Sequence, residues 1–512
     1  MNLSRLALAL LLGIGVVTGA KAQDPLVEQG RYLAKIGDCA ACHTTESGQT
    51  YAGGLAFKTP FGVIYSTNIS ADKKQGIGSY SYQDFYDVMH NGKAPTGRLY
   101  PAMPYTSYHL VTDADMKALY AYFMQTKPAA TPNRDNEVGF PFNVRTGLLG
   151  WNLVAHEDTA FAPDATKSAN WNRGRYLVDG LGHCGECHTP RNLFMAMDSS
   201  HYLQGARIEG VMAPNITATE LRRQGWTQDS LTKLLQKGYS IKGGVFAGMY
   251  PVVEKSFAYL TEEDMHAVTS YLLDSDTPLS SPEPKPATLD TRHPGYALYR
   301  NYCTGCHGQD GQGKPNVTPA LSSNGTLDQP SPVNTLAILL HGIPAQSYSQ
   351  TERFAPMPGY INEMSDQDLA DLTNFLRQTW SSQSVKVSAD EVKTLKQELA
   401  EHQECPSRRR TAPELDVAGP GQKRLVVQHS GHLWLGPSSQ GGTVCHRWSL
   451  SQRLHLRWLH RGCLRREAGQ RGTECPSEPA RLWRSPDPGW QPVRAALRGQ
   501  HPATGRTPDA RR

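Results

Sequence analysis

The chain has 512 residues, which is enough for about three domains. Its net charge of +5 is unevenly divided, because residues 1–407 carry −7 and residues 408–512 carry +12. A basic average is typical of proteins that bind nucleic acid or anionic membranes, but here the positive charge is confined to the last fifth of the chain. The body of the chain is therefore not expected to bind nucleic acid.

The first 22 residues have the pattern of a secretory signal peptide. Arg5 precedes an apolar run over residues 6–17, and Ala20-Lys21-Ala22 supplies an A-x-A cleavage pattern. An uncleaved N-terminal anchor is the alternative interpretation. Export would place the mature chain in an oxidising compartment, where unprotected cysteine pairs tend to oxidise.

A Cys-x-x-Cys-His pattern occurs three times along the chain, and this pattern is typical of c-type haem attachment. Two thiols can add to the two vinyl groups of one haem, and the next residue then supplies an imidazole as the proximal iron ligand. The predicted haem-binding residues are Cys39, Cys42 and His43, then Cys184, Cys187 and His188, and finally Cys303, Cys306 and His307.

Other uses of paired cysteines fit this spacing less well. A zinc site normally combines two half-sites close together, whereas Cys184 follows Cys39 by 145 positions. A thioredoxin-like pair does not need an adjacent histidine, and a disulfide across two intervening residues is strained. The sequence therefore predicts three covalently bound haem c groups.

Each copy of the motif lies in a longer repeat. Residues 30–39 (GRYLAKIGDC) resemble residues 174–184 (GRYLVDGLGHC) and, less closely, residues 295–303 (GYALYRNYC); residues 66–70 (STNIS) also resemble 213–217 (APNIT). Three similar helices are predicted downstream, after Thr112, Thr261 and Ser365, each followed three positions later by Asp, close to a capping box. We expect each of these closing helices to pack against the helix before the motif and to cover the haem. The repeats predict an all-α chain of three tandem cytochrome c domains, at residues 24–135, 167–278 and 288–382.

Two connections separate the repeats. Residues 277–294 are rich in proline and are predicted to be a linker. The first connection, from about residue 126 to 170, contains an apolar run at residues 140–155. This run could contact a partner or a membrane surface, but packing against a haem domain is the favoured interpretation.

Methionine is the usual sixth iron ligand in electron-transfer cytochromes c. Met103, Met249 and Met357 each lie in a Pro- or Gly-rich loop shortly before a closing helix, at 60, 61 and 50 positions after the proximal histidine, and are predicted to be these ligands. Met212 is the main competitor in the second repeat, but it has no counterpart in the others. With three His–Met irons, none would be open to substrate or peroxide, so the chain would transfer single electrons and have no substrate site of its own.

Six segments carry a resemblance to a known family: GDCAACHT (37–44), YAGGLAFKTPFGVIYSTNIS (51–70), LYPAMPY (99–105), DMKALYAYFM (115–124), WNRGRYLVDGLGHCGECHTPRN (171–192) and APMPGY (355–360). Over about residues 25–395 the chain resembles the triple-haem cytochrome c subunit of bacterial membrane-bound dehydrogenases, which serves alcohol, sorbitol, fructose and gluconate dehydrogenases. The segment at 171–192 is more similar to the flavin-dependent sugar and sugar-acid enzymes, which favours gluconate 2-dehydrogenase or a ketogluconate relative.

The resemblance implies a separate catalytic subunit, carrying FAD or PQQ, that oxidises substrate in the periplasm, and possibly a small third subunit. The haem groups would relay electrons to ubiquinone at the periplasmic face of the inner membrane. A catalytic multihaem enzyme such as a peroxidase is the competing hypothesis, and it would need an iron with a vacant or displaceable ligand.

The last segment departs from the family after about residue 404. Residues 408–512 contain 18 Arg, one Lys and five of the nine Trp of the chain, without periodicity. A basic arm that binds anionic lipid is one interpretation. The absence of an amphipathic pattern favours a shifted reading frame instead.

Overall fold

The computed structural model describes residues 24–157, 159–280, 287–315, 317–348 and 352–403. The predicted signal peptide at 1–22, the centre of the predicted linker at 277–294 and the atypical tail at 405–512 lie outside these residues. The described residues belong to one compact unit, and the division into three separate domains stays a prediction.

The first repeat contains five helices and four short strands. In chain order they are α1 Pro25–Ile36, α2 Cys39–Cys42, β1 Ala56–Thr59, β2 Gly62–Tyr65, α3 Tyr82–Asn91, β3 Lys93–Ala94, β4 Gly97–Arg98, α4 Tyr105–Tyr108 and α5 Asp113–Phe123. The first connection adds β5 Glu137–Val138 and α6 Leu148–Ala155.

The second repeat follows the same plan, and the described residues of the third form one hairpin where the others form two. The second contains α7 Ala169–Tyr176, α8 Gly185–His188, β6 Ala206–Ile208, β7 Val211–Ala213, α9 Ala218–Arg223, α10 Gln228–Lys237, β8 Tyr239–Ser240, β9 Gly243–Gly244, α11 Met249–Lys255 and α12 Glu262–Leu272. The third contains α13 Pro294–Tyr302, α14 Thr304–His307, α15 Val333–His341, β10 Gln346–Tyr348, β11 Glu352–Phe354, α16 Asp366–Trp380 and α17 Ala389–Gln403.

The fold is rich in helix, as predicted, but the all-α assignment was too strict. β1, β2 and β5 form a three-stranded antiparallel sheet, and the other strands pair as two-stranded hairpins. These strands have two to four residues each, too short for an alternating pattern to mark them in the sequence.

The three closing helices begin where the sequence predicted. The side chains of Thr112, Thr261 and Ser365 each accept a hydrogen bond from the backbone N–H three residues later, and at Ser365 the capping box is complete. These caps satisfy backbone donors that the first turn of a helix leaves without a partner.

In each repeat the helix before the motif crosses the closing helix. α1 packs against α5, α7 against α12 and α13 against α16, which confirms the predicted packing. A glycine lies at each crossing. A Cβ on Gly30 would lie 1.9 Å from the carbonyl oxygen of Ala118, one on Gly174 would lie 1.9 Å from that of Ala267, and Gly295 makes the same approach at 2.2 Å. Only glycine permits two backbones to come so close.

Crossed tyrosine–aspartate pairs join the first two repeats. Tyr32 of α1 donates to Asp264 at the start of α12, and Tyr176 of α7 donates to Asp115 at the start of α5, both at 2.7 Å. Each tyrosine oxygen also accepts a hydrogen bond of 3.1 Å from the backbone N–H of the residue that caps the same helix. The buried apolar residues of these two repeats form one continuous cluster. The contact is therefore reciprocal, like the interface of a two-fold dimer.

The apolar run of the first connection does not pack as expected. Phe140 is 83% exposed and Leu153 is 88% exposed, and α6 contains no buried residue. The favoured interpretation of this run was therefore wrong.

Helix α17 lies beyond the predicted end of the third repeat. Its residues Val392, Leu395 and Leu399 are buried in the cluster that holds α13 and α16. Across the described residues, no helix has the length and apolar character that crossing a membrane requires.

Candidate haem sites

Each Cys-x-x-Cys-His motif forms one helical turn at the end of the helix that precedes it. The turns are α2, α8 and α14, and the first cysteine of the second and third motifs is the N-cap of its turn. Residues three apart in a helical turn lie on the same face. None of the six cysteines of the motifs forms a disulfide.

Four of the six thiols lie in an apolar environment, whereas Cys187 and Cys306 belong to exposed residues. Burial is the largest cause that raises the pKa of Cys39, Cys184 and Cys303 to about 12 and that of Cys42 to about 11. Redox-active and metal-binding cysteines are instead activated by a lowered pKa. A neutral sulfur is favoured here, and the sulfur of a thioether to haem is neutral.

The three histidines of the motifs are oriented in the same way. Nδ1 of His43 lies 2.6 Å from the carbonyl oxygen of Thr67, and Nδ1 of His188 lies 2.7 Å from that of Pro214. Nδ1 of His307 lies 3.0 Å from the carbonyl oxygen of Pro319. A proton on Nδ1 that is donated to a carbonyl fixes the tautomer and the ring, and leaves Nε2 for a metal.

Burial also keeps these imidazoles neutral. The pKa of each of the three histidines is lowered, first because burial disfavours the charged ring. Neutral imidazole is the form that binds a metal. The thiols and the imidazoles therefore fit haem c, with the cysteines as attachment points and the histidines as proximal ligands that set the iron's electronic properties.

A downstream glycine closes the loop around each motif. The carbonyl oxygens of the three histidines each accept a backbone hydrogen bond of 2.7–2.8 Å from a glycine with positive φ. The glycines are Gly53, Gly205 and Gly313, with φ of 71°, 90° and 69°. The three repeats therefore also share this backbone hydrogen bond, which their sequence similarity did not indicate.

The three predicted methionine ligands are half-buried beside the motifs. Met103 and Met249 pack against the core cluster that also contacts Cys39 and Cys184, and Met357 packs against the cluster that contains Cys303. Met249 is the first residue of α11 and not part of a loop. The assignment of these methionines as iron ligands stays a prediction.

The first and second motifs lie against each other's repeat. Thr106, three residues after Met103, donates to Glu186 of the second motif at 2.6 Å. Ser256, directly after α11, donates to the carbonyl oxygen of Ile36 at 3.0 Å. Cys187 is also close enough to Cys42 to contribute to the raised pKa of the Cys42 thiol. The first two candidate sites therefore face each other across the reciprocal contact.

The second and third sites meet at another contact. Met249 and Tyr250 pack in one apolar cluster with Tyr348 and Phe354 of the β10–β11 hairpin. The hydroxyl of Tyr250 donates to the carbonyl oxygen of Ser347 at 3.3 Å. The hairpin ends three residues before Met357. The segment that contains Met249 therefore contacts the strands that lead into the segment that contains Met357.

Comparisons with known proteins agree with this geometry. The sequence profile of the cytochrome c family matches residues 27–127 and 293–380, which contain the first and third motifs. The chain is 38% identical over 417 residues to the gluconate 2-dehydrogenase cytochrome c subunit of Pantoea cypripedii, a match that covers 76% of this chain and 95% of that protein.

Two further relatives are similar over comparable stretches. The cytochrome c subunit of the alcohol dehydrogenase (quinone) of Gluconacetobacter polyoxogenes is 36% identical over 409 residues, which cover 75% of this chain and 86% of that protein. A nicotinate dehydrogenase component of Pseudomonas putida is 40% identical over 365 residues, which cover 70% of this chain. The match spans only 30% of the length of that component.

The fold and the motifs define a cytochrome c, a protein that carries covalently attached haem and transfers electrons. Within that class, the chain belongs to the family of cytochrome c subunits of bacterial dehydrogenases.

Proposed function

We propose that the chain relays single electrons through three haem c groups, from a dehydrogenase subunit to ubiquinone. The Cys pairs would attach the three groups, and His43, His188 and His307 would be the proximal ligands, with Met103, Met249 and Met357 opposite them. The chain would act at the periplasmic face of the inner membrane after cleavage of its signal peptide.

The continuity of the three sites carries this proposal. Thr106, near Met103, contacts Glu186 of the second motif, and Met249 packs against the hairpin that leads to Met357. Electrons could therefore move between neighbouring sites within one compact unit. The reciprocal contact of the first two repeats would fix the distance between their sites.

The partner is proposed to be a separate flavoprotein or quinoprotein subunit that oxidises a sugar acid. Gluconate is favoured because the match covers 95% of the gluconate 2-dehydrogenase cytochrome c subunit. A quinone acceptor is supported by the name of the related alcohol dehydrogenase (quinone), and ubiquinone is proposed as that quinone.

The haem count tests the basis of the proposal. The pyridine haemochrome of the denatured, purified chain should give three haem groups per polypeptide. Replacing Cys184 and Cys187 together by Ala should lower the count to two, and the same change at Cys39 and Cys42 should do so independently. An unchanged count in either variant would contradict the attachment sites.

A reduction assay tests the relay. The complex purified with its dehydrogenase subunit, mixed with gluconate without oxygen, should reduce the haem absorbance bands, and ubiquinone-1 should then reoxidise them. Gluconate that leaves the bands oxidised would exclude it as the substrate, and fructose, alcohol and nicotinate would be compared next. Tight carbon monoxide binding by the reduced native chain, or peroxide turnover, would favour the peroxidase hypothesis over the relay.

A further inference from the structure

Most of the exposed large hydrophobic residues in the described part of the chain belong to one surface. It consists of residues 139–155 together with Phe61 and residues 193–195, and we call it the apolar lobe. Ten of the sixteen large hydrophobic residues that are exposed among the described residues lie in it. Phe140, Leu153 and Leu193 are each more than 80% exposed, so these side chains protrude from the surface.

Specific contacts hold the lobe together. The indole Nε1 of Trp151 in α6 donates to the carbonyl oxygen of Phe194 at 2.8 Å, which joins the two segments. The rings of Phe61 and Phe142 lie 4.3 Å apart, and the hydroxyl of Tyr100 donates to the carbonyl oxygen of Phe142 at 3.0 Å. These contacts join the segments of the lobe into one surface.

The position of the lobe relates it to the second candidate site. Phe194 lies six residues after His188 in the loop that leaves the second motif. On the other side, the hydroxyl of Tyr105, two residues after Met103, donates to Asn152 of α6 at 2.8 Å. The lobe thus borders both the second motif and the methionine segment of the first site.

The chemistry of the lobe fits lipid better than a protein partner. Residues 139–155 contain one charged residue, Arg145, whereas protein interfaces carry a polar rim around an apolar centre. α6 contains no charged residue and buries none of its residues, and its exposed side chains Leu149, Leu153 and Val154 are aliphatic. Protruding Phe and Leu side chains with Trp and Tyr at the margin are typical of surfaces that lie in the membrane interface.

We propose that the apolar lobe inserts into the interfacial layer of a lipid bilayer and places the second haem site at the membrane surface. The proposal rests on the proposed function in one respect, because a quinone dissolved in the bilayer is the acceptor that such an arrangement would serve. Electrons would then leave the chain beside the second motif.

Vesicle sedimentation of the full-length holoprotein tests this proposal. The probe is a vesicle of phosphatidylcholine, because a neutral surface removes attraction by basic segments. We expect Leu153→Glu and Phe194→Glu each to lower the partition coefficient about tenfold or more, since burying one such side chain contributes about 1.5–3 kcal/mol. Val385→Glu is the matched control, because Val385 is 56% exposed outside the lobe, and it should change partitioning less than about twofold.

Two results would overturn the proposal. One is that both lobe variants partition like the wild type while keeping three haem groups. The other is that they keep vesicle binding but lose the dehydrogenase subunit on gel filtration, which would identify the lobe as a protein-docking surface. Trp151 gives a second readout, because the part of the tryptophan fluorescence that Trp151→Phe removes should be quenched by brominated lipid in an otherwise wild-type chain and not in Phe194→Glu.

A soluble acceptor separates this proposal from the proposed function. In detergent, the lobe variants should reduce ubiquinone-1 at the wild-type rate, because the lobe serves membrane attachment and not electron transfer itself. If the wild-type complex reduces no quinone but still partitions through the lobe, the proposed function fails and the lipid surface stands.

Discussion

At the residue scale, the histidine of each motif is oriented by a different backbone carbonyl. The acceptor carbonyls belong to Thr67, Pro214 and Pro319, and the first two lie in the segments STNIS and APNIT. The similarity of these segments was visible in the sequence, but its reason was not. In both segments a backbone carbonyl orients the ring of the motif histidine.

Replacing one predicted methionine ligand by histidine should lower the potential of one haem group. Axial ligation varies haem potential over about 0.8 V across proteins, and methionine lies toward the high end. We therefore expect Met103→His, Met249→His and Met357→His each to shift one of three potentials downward in spectroelectrochemical titration. Electron flow to quinone should slow, while reduction of the partner's cofactor by substrate should continue.

Met212→His is the matched control for the second site. Met212 lies in β7, where its backbone N–H donates to Asn334 and its carbonyl accepts from the same side chain, both at 2.8 Å. We expect this variant to leave all three potentials unchanged. A shift from Met212→His together with none from Met249→His would reverse the assignment of the second sixth ligand.

Asp38, directly before the first motif, should make stability depend on pH. Burial raises its pKa to about 8, and its Oδ1 lies buried without a hydrogen-bond partner. A raised pKa means that the fold favours the neutral form of the Asp38 carboxyl. The stability that this neutral carboxyl contributes is complete below the unfolded pKa near 4, and it is lost as pH rises through the folded pKa of about 8.

Asp38→Asn should remove this dependence. Asparagine keeps the shape and tolerates the left-handed backbone at this position, where φ is 50°. We expect wild-type stability to fall relative to the variant by up to about 1.4 kcal/mol per pH unit between pH 4 and 8. Parallel pH profiles of the two proteins in urea unfolding would show that the carboxyl is already charged in the fold.

At the scale of elements, the glycines at the helix crossings set how closely the helices pack. Gly174→Ala would place a Cβ 1.9 Å from the carbonyl oxygen of Ala267, so α7 and α12 would have to separate. We expect a loss of about 1–3 kcal/mol in the free energy of unfolding, the usual effect of overpacking. Urea unfolding followed by circular dichroism would measure it.

Gly150→Ala is the control for this substitution. Gly150 lies in α6 with nothing within 4 Å of an added Cβ. The variant should be unchanged or more stable by about 0.5–1 kcal/mol, because alanine favours helix over glycine. Equal destabilisation by both substitutions would mean that the crossing does not require glycine.

At the scale of the whole molecule, the crossed tyrosine–aspartate pairs hold the first two repeats together. Asp264 illustrates the balance: burial alone would raise its pKa, but hydrogen bonds from Arg173 and Tyr32 outweigh it, and the pKa lies below its usual value. The carboxylate therefore stays charged within the contact. A hydrogen bond to a charged group contributes about 1.5–3 kcal/mol.

Removing both tyrosine hydroxyls should loosen this contact. In the double variant Tyr32→Phe, Tyr176→Phe, we expect faster amide exchange at the starts of α5 and α12, and slower electron equilibration between the first two sites after flash reduction. Tyr302→Phe is the control, because Tyr302 is 44% exposed and lies in the third repeat. Unchanged exchange in the double variant would show that apolar packing alone fixes the repeats.

The sequence by itself determined the local features of this protein. Two cysteines separated by two residues and followed by histidine predict the covalent attachment of haem. Thr or Ser three residues before Asp predicts the start of a helix, as at Thr112 and Ser365. The haem attachment sites and the repeats could be predicted because these signals are short in range and occur three times. The strands of two to four residues could not be recognised, since such short elements have no readable period.

Only the tertiary structure decided how these local features combine. Tyr32 and Asp264 are 232 positions apart, and no local pattern in either segment indicates the other. The same holds for residues 140–155, whose apolar character suggested burial although the structure leaves most of them exposed. An apolar sequence predicts only that its side chains are more stable when they are removed from water. Which surface covers it depends on packing between distant segments, and in this protein the first two repeats cover each other while the apolar lobe is left outside their contact.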